Sequence, residues 1–284
     1  MIELLIKPKR AERRPWEMFF VGLLYASVSL LLVTFVFGKD FILKEGSGLL
    51  MVIFTVIACW PFMYYIIKLE EGKDIEIDNS GRLIKEHSKA IHALMWLFIG
   101  FVIAFSFWYL VLPDSAPQNF NFQIKTFCAI NSPSYYSNCL EEHGIPLVTG
   151  AASGGNYFFT IFSNNIKVLI FTILFSLALG AGAIFILVWN ASVIGAAIGI
   201  FAKGNLASLP SGLFRYMIHG IPEIGAYFVG ALAGGIVSVA IIRKDLRGEG
   251  TWKILQDSLF MIIIAIAILV VAALMEVYLT PLLF

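Results

Sequence analysis

The chain has 284 residues, of which 59% are hydrophobic and 14% are charged, and its formal net charge at pH 7 is +1. Soluble domains carry about 25% charged residues, so this composition excludes an ordinary soluble protein. The near-neutral charge, without a basic patch interleaved with aromatic residues, argues against nucleic-acid binding. The sequence therefore predicts a protein whose principal partner is the lipid bilayer.

Six apolar stretches of membrane-spanning length follow one another along the chain. A helix needs roughly 20 residues to cross a hydrocarbon core of about 30 Å. The stretches occupy residues 18–37, 49–67, 93–112, 166–189, 224–242 and 258–275. The basic arm before the first stretch leads into a full-length span without a small-residue cleavage pattern, so we predict a retained span rather than a cleaved signal.

Loop charges predict the orientation of these spans. Lysine and arginine are concentrated in the arm 1–17 and in the loops 68–92 and 243–253, which places these segments and the N-terminus in the cytoplasm. For span 224–242 to end at a cytoplasmic loop, the chain must also cross the membrane between residues 190 and 221. The apolar run there is short and is followed by glycine and proline, so we predict a seventh, broken span and an external C-terminus.

The predicted fold is an all-α polytopic membrane protein with about seven transmembrane helices. It comprises the cytoplasmic arm 1–17, a three-span part 18–112, an external loop 113–163 and a C-terminal membrane part 164–284. The external loop contains Cys128 and Cys139, for which an oxidising environment favours a disulfide; two unpaired thiols are the alternative. A loop of this length is also a candidate surface for protein partners.

Polar residues at membrane depth are the main functional signal. Because unsatisfied polar groups in hydrocarbon are costly, these side chains should face protein or water. The residues in question are Asn164, Asn165, Asn190, Arg215, His219, Gly220 and Glu223. Arg215, His219 and Glu223 are four residues apart, the spacing of one helix face. Pro222 suits the first position of a new helix, so Gly220 and Pro222 predict a helix break beside an ionisable pair.

Two hypotheses account for the His219 and Glu223 pair. Transporters build ion and substrate sites from broken helices with ionisable residues at the break. Alternatively, the two side chains bond to the asparagines as a fixed polar lock. The pair supplies at most two metal ligands and no third is identifiable, so no metal, no other cofactor and no enzymatic activity are predicted. The glycine-rich string at 149–155 lacks the strand and helix of a nucleotide-binding loop and is interpreted as a linker.

Small residues on two predicted helices indicate close packing. Such residues let helix backbones approach, either within one chain or in a homo-oligomer. One row consists of Gly195 and Gly199, and the other of Ala226, Gly230 and Gly234.

At residues 164–242 the chain resembles the stage II sporulation protein M family of integral membrane proteins. The resemblance rests on Asn164 and Asn165 opening a span, on Asn190 closing it, and on the string from His219 to Glu223, which is similar to the family's Pro-His-Gly-x-x-Glu signature. Ile218 replaces the proline of that signature, and Ala191 replaces the glycine that usually follows the asparagine.

This resemblance implies a non-enzymatic scaffold or assembly component of a membrane or envelope complex. The family's namesake recruits cell-wall-degrading partners during engulfment and has no established catalytic activity. The alternative is an ion or small-solute transporter or channel that uses the His219 and Glu223 pair.

Overall fold

The computed structural model describes residues 5–38, 40, 43–77, 80–131, 136–143, 157–179, 182–202, 205–242 and 249–283. Regular structure in these ranges is helical throughout. The helices are α1 (Pro8–Arg13), α2 (Glu17–Leu32), α3 (Ser47–Glu76), α4 (Ser80–Val111), α5 (Ala116–Asn119), α6 (Asn121–Asn131), α7 (Tyr136–Glu142), α8 (Tyr157–Leu179), α9 (Ala183–Ala202), α10 (Leu209–Ile242), α11 (Glu249–Leu274) and α12 (Thr280–Leu283). Single π-helical turns, Val33–Phe37 and Met275–Leu279, follow α2 and α11.

Seven of the helical segments are long and apolar enough to cross a membrane. They are Glu17–Phe37, Leu43–Lys73, Lys85–Val111, Ile161–Ala178, Ala183–Ala202, Leu206–Ile241 and Trp252–Leu283. An all-α polytopic membrane protein with seven spans is therefore confirmed.

The predicted position of the irregular span is wrong. Residues 166–189 were expected to form one helix, but α8 ends at Leu179 and α9 begins at Ala183, with Asn190 in its middle. Residues 209–242, expected to be broken, form the single 34-residue helix α10. In the sequence, two glycines and an alanine stand between the two helices; glycine favours the end of a helix, and none of the three brings a charged or strongly polar side chain into the apolar run. The turn between α8 and α9 therefore could not be recognised from the continuous apolar run of the sequence.

Much of the long loop between α4 and α8 is a packed unit, here called the cap, formed by α5, α6 and α7. Amide side chains fix it to neighbouring helical segments. Asn119 Nδ2 donates to Thr34 Oγ1 at 2.8 Å, and Gln123 Nε2 donates to the Gly48 carbonyl and to Ser192 Oγ, both at 3.1 Å. Asn119 and Gln123 are buried. The cap is therefore anchored to the π-helical turn after α2, to α3 and to α9 by polar contacts that hydropathy does not reveal.

The cap is closed by a disulfide between Cys128 and Cys139, whose Cα atoms are 5.8 Å apart. This is the pairing that the sequence predicts. The third cysteine, Cys59, is buried in α3.

Alkylation of the denatured protein without reductant should label Cys59 alone, and prior reduction should expose all three cysteines. Mass spectrometry counts the labels. As a control, Cys128→Ser should release Cys139 as a second reactive thiol. Labelling of Cys128 and Cys139 before reduction would contradict the bond.

At the opposite end of the bundle, an ion-pair cluster holds α1 against α3 and α4. Lys73 Nζ lies 2.5 Å from Glu12 Oε1 and 2.6 Å from Glu70 Oε1. The other Glu70 oxygen lies 2.8 Å from His87 Nδ1. Glu70 and His87 are buried, so ionisable groups of three helices meet away from solvent. The loop predicted at residues 68–92 is much shorter in the structure, because α3 extends to Glu76 and α4 begins at Ser80.

The attachment of α1 should weaken as the pH rises towards neutrality. Burial, reinforced by the Glu70 carboxylate, raises the pKa of Glu12 to about 7 from 4.5. At Glu12 the docked arm therefore binds more protons than the free arm, so the contribution of Glu12 favours docking most below pH 4.5 and declines as the pH rises to about 7. Hydrogen-exchange protection factors of α1 should fall over this range. Glu12→Gln should remove the dependence, and an unchanged dependence in that variant would exclude Glu12 as its source.

Glycines allow the closest helix contacts. A Cβ atom on Gly195 would lie 2.6 Å from Phe105 Cβ on α4, and one on Gly230 would lie 2.5 Å from a Leu169 methyl group on α8. The two predicted rows therefore pack within the chain, on α4 and α8. A further pair, Gly22 of α2 and Gly100 of α4, was not predicted because the two glycines are distant in sequence.

Gly234→Ala should destabilise the protein by about 1–3 kcal/mol. The new methyl group would meet the Ile173 backbone carbonyl at 2.8 Å, and a backbone atom cannot turn aside as a side chain can. Gly225 is the matched control on the same helix, because no atom lies within 4 Å of its added Cβ. Thermal unfolding should show a lower midpoint for Gly234→Ala than for Gly225→Ala. Equal midpoints would contradict the close α8 and α10 contact.

Candidate functional site

Helix α10 carries the polar string from Arg215 to Glu223 without interruption. Pro222 lies inside this helix, and Gly220 and its neighbours remain helical. The predicted break is therefore wrong. A proline inside a membrane helix removes one backbone hydrogen bond, but neighbouring helices can support the remaining turns, and α8, α9 and α11 all pack on α10.

Glu223 is bonded to a residue one turn further along the same helix. The Tyr227 hydroxyl donates to Glu223 Oε1 at 2.7 Å, and the tyrosine is completely buried. A buried phenol requires a partner, and the carboxylate supplies it. Tyr227 was not among the predicted site residues, since an isolated tyrosine in an apolar helix looks like a core residue.

Asn165 of α8 faces the Glu223 carboxylate across the helix interface. Its side chain is only 4% exposed, yet its Nδ2 atom makes no hydrogen bond within 3.5 Å to any described residue. We therefore treat the approach to Glu223 as a polar contact rather than a formed bond. A buried amide nitrogen without an acceptor is uncommon, and it lies beside the acidic group.

His219 contacts the C-terminal end of the chain. Its Nδ1 atom lies 3.2 Å from Thr280 Oγ1, and the Thr280 hydroxyl donates its proton to the Met275 carbonyl at 3.2 Å. Since the threonine has a single proton, the geometry assigns the proton of the first bond to His219 Nδ1. That tautomer leaves Nε2 as the acceptor when the ring is neutral.

A second carboxylate, Glu276, completes the cluster. It lies in the π-helical turn Met275–Leu279 and interacts electrostatically with Glu223. His219 precedes Glu223 by four residues, and Thr280 follows Glu276 by four. The contact between His219 and Thr280 therefore fixes the register in which the two antiparallel helical segments pair. Single π-helical turns within α-helices are frequent at functional sites. The sequence analysis did not single out Glu276, because it lay beyond the region of the recognised motif.

The remaining predicted residues lie apart from this acidic pair. Asn164 is exposed, and Asn190 Nδ2 donates to the Ile186 carbonyl of its own helix at 2.7 Å. Arg215 sits two turns from Glu223 on α10, with its guanidinium 5.5 Å from the centre of the Phe201 ring. Of the three asparagines, Asn165 is therefore the one that the structure brings to Glu223.

The cluster lies near the surface of the helix bundle. His219, Glu223 and Glu276 each have intermediate exposure, and Ile221 between the first two is 45% exposed. The described residues contain no group of three or more His, Cys, Asp or Glu side chains that could hold a metal ion.

Comparison with known sequences places this cluster in a family context. The profile of stage II sporulation protein M matches residues 49–281. The chain belongs to this family. The match is much wider than the 164–242 expected from the motif, and it includes α3, α4, the cap and Glu276.

An uncharacterized protein of Methanocaldococcus jannaschii is 32% identical over 127 residues, which cover 43% of this chain and 70% of that protein. No solved structure matches the chain.

Proposed function

We propose that this family member is a membrane transport protein for an ion or small solute, with Glu223 and Glu276 at its binding site. The observation that carries the proposal is that Glu223 of α10 interacts electrostatically with Glu276 in the π-helical turn after α11, and that both lie on helical segments long and apolar enough to cross a membrane. Intramembrane ionisable groups are costly and usually mark ion or substrate paths. The proposal involves no catalytic step.

Reconstitution into liposomes tests this function. Purified protein should support uptake driven by an imposed proton or sodium gradient, with a lumenal dye or radiolabelled solutes as the readout. Glu276→Gln should lower the rate at least tenfold. Glu142→Gln, an exposed glutamate on the cap, should leave it unchanged. Uptake no faster than in protein-free liposomes under every gradient would overturn the proposal.

A second candidate function is that of a scaffold or assembly component, and the cap supports it. The disulfide and the amide anchors of Asn119 and Gln123 give this surface a fixed shape, as a docking platform requires. A photo-crosslinker at the exposed Asn138 should then yield one discrete adduct in native membranes, whether a partner protein or a second copy of the chain. The same crosslinker at the exposed Lys85, on the opposite end of the bundle, is the control; equal adducts at both positions would reject this function.

We infer a cytoplasmic N-terminus and an external cap in a cell membrane. The basic arm and loops favour this orientation, and a disulfide favours an oxidising compartment for the cap. Impermeant thiol labelling of intact cells should modify a cysteine at position 142 and spare one at position 85. The reverse pattern would invert the orientation. The predicted external C-terminal residue, Phe284, lies outside the described residues.

A further inference from the structure

Glu223 and Glu276 lie on two paired helices that are long and apolar enough to cross a membrane. When both are ionised they carry like charges and repel each other. The Tyr227 hydroxyl satisfies one oxygen of Glu223 but supplies no charge. Arg215 lies two turns away on α10, with Phe201 against its guanidinium. A positive ion between the carboxylates would relieve the repulsion directly.

Asn165 is an independent sign of a ligand at the same place. Its amide is buried, faces Glu223 and leaves Nδ2 without a hydrogen bond to any described residue. A half-turn about the terminal side-chain bond exchanges the amide oxygen and nitrogen. Asn165 can therefore turn its oxygen towards a cation, or donate from nitrogen to a carboxylate once a proton occupies the pair.

We propose that Glu223 and Glu276 together bind one monovalent cation, a proton or a sodium ion, with Tyr227 and Asn165 as neutral partners. This inference rests on the proposed transport function and names the ion of its site. Oxygen ligands suit hard cations.

The residues around the site disfavour a divalent ion. Calcium takes six to eight oxygen ligands, and magnesium requires near-ideal octahedral geometry. Here two carboxylates are available, and no third acidic, histidine or cysteine side chain joins them in a metal-binding group within the described residues.

Sodium and proton binding predict different responses of thermal stability. A ligand that binds only the folded state raises the unfolding midpoint as its concentration rises. If sodium binds, the midpoint should increase by about 5 °C between low and saturating sodium chloride, and choline chloride at equal ionic strength should have no such effect. If the proton binds, the folded state holds more protons, so the midpoint should fall as the pH rises and be insensitive to sodium.

The titratable and charged groups facing the acidic pair must be accounted for in the proton case. Tyr227 interacts with both carboxylates and Tyr216 with Glu276, while Arg215 interacts with His219 and Tyr216. His219→Gln removes the imidazole, so that the titration of the carboxylates can be distinguished from that of His219. A pH dependence that survives this change and disappears in Glu276→Gln belongs to the acidic pair.

The test measures the unfolding midpoint of the full-length protein in detergent, with sodium chloride or choline chloride, from pH 5.5 to 8.5. Glu223→Gln and Glu276→Gln should each abolish the sodium-specific or pH-dependent shift, and Glu142→Gln should retain it. Equal responses in the wild type and both site variants would overturn the cation site. A site-dependent shift without liposome uptake would uphold the site and overturn the transport function. Uptake of a solute without a site-dependent shift would overturn the site alone.

Discussion

Glu223→Gln is expected to lower gradient-driven uptake in liposomes at least tenfold while the protein stays folded. Glutamine retains an oxygen that accepts the Tyr227 hydroxyl bond, which measures 2.7 Å in the wild type. Glutamine carries no negative charge to attract a cation, and its amide cannot bind and release a proton at physiological pH as a carboxyl group can. Uptake should be measured at equal reconstituted protein, with folding verified by size-exclusion chromatography and the thermal midpoint.

Glu223→Ala is the matched comparison, because it removes both the charge and the acceptor. It should leave the buried Tyr227 hydroxyl without an acceptor and lower the stability by about 1–3 kcal/mol, whereas Glu223→Gln should lower it much less. If glutamine preserved full uptake, the charge would have no transport role and the cluster would be a structural lock. A similar loss of stability in both variants would show that the charge itself holds the fold.

Lys73→Met should destabilise the protein by about 3–5 kcal/mol. Lys73 lies within 2.6 Å of both Glu12 and Glu70, and the side chain of Glu70 is 0% exposed. Removing the cation would leave two acidic groups close together with little access to solvent. Unfolding in a denaturant that preserves detergent micelles, or thermal unfolding at pH 7.5, measures the loss.

Two comparison variants isolate this effect. Lys89→Met breaks an ion pair of similar length with Glu86, but its lysine side chain is 45% exposed, so the expected cost is about 0–1 kcal/mol. Adding Glu12→Gln to Lys73→Met should restore part of the lost stability by removing one of the repelling charges. Equal effects of Lys73→Met and Lys89→Met would contradict a buried cluster.

The fold class was predictable because membrane-spanning helices must be long and apolar. The number of spans followed from loop charges, since the chain must return to the cytoplasm after each pair of crossings. The position of the turns did not follow. Helix α8 ends at Leu179 and α9 begins at Ala183 within one apolar run of the sequence, while Pro222, a strong breaking signal, lies inside α10.

The candidate site was predictable only for the residues that stand out by charge in a recognised motif. Glu223 and His219 were identified in this way, and Asn165 by its position at the start of a span. Tyr227 and Thr280 resemble ordinary helix residues, and their roles arise from contacts made in three dimensions. Glu276 joins the site because α10 and α11 pair in antiparallel register, which no local pattern specifies.

Carbodiimide modification of the native protein tests the central claim most directly, because these reagents modify protonated carboxyl groups that lie in apolar surroundings. Peptide mapping by mass spectrometry should find Glu223 or Glu276 modified in the folded protein, and saturating sodium or an increase in pH should protect the modified residue. The exposed Glu142 on the cap serves as the internal reference. If Glu223 and Glu276 were modified only after denaturation, and not in the folded protein, the result would contradict an accessible cation site.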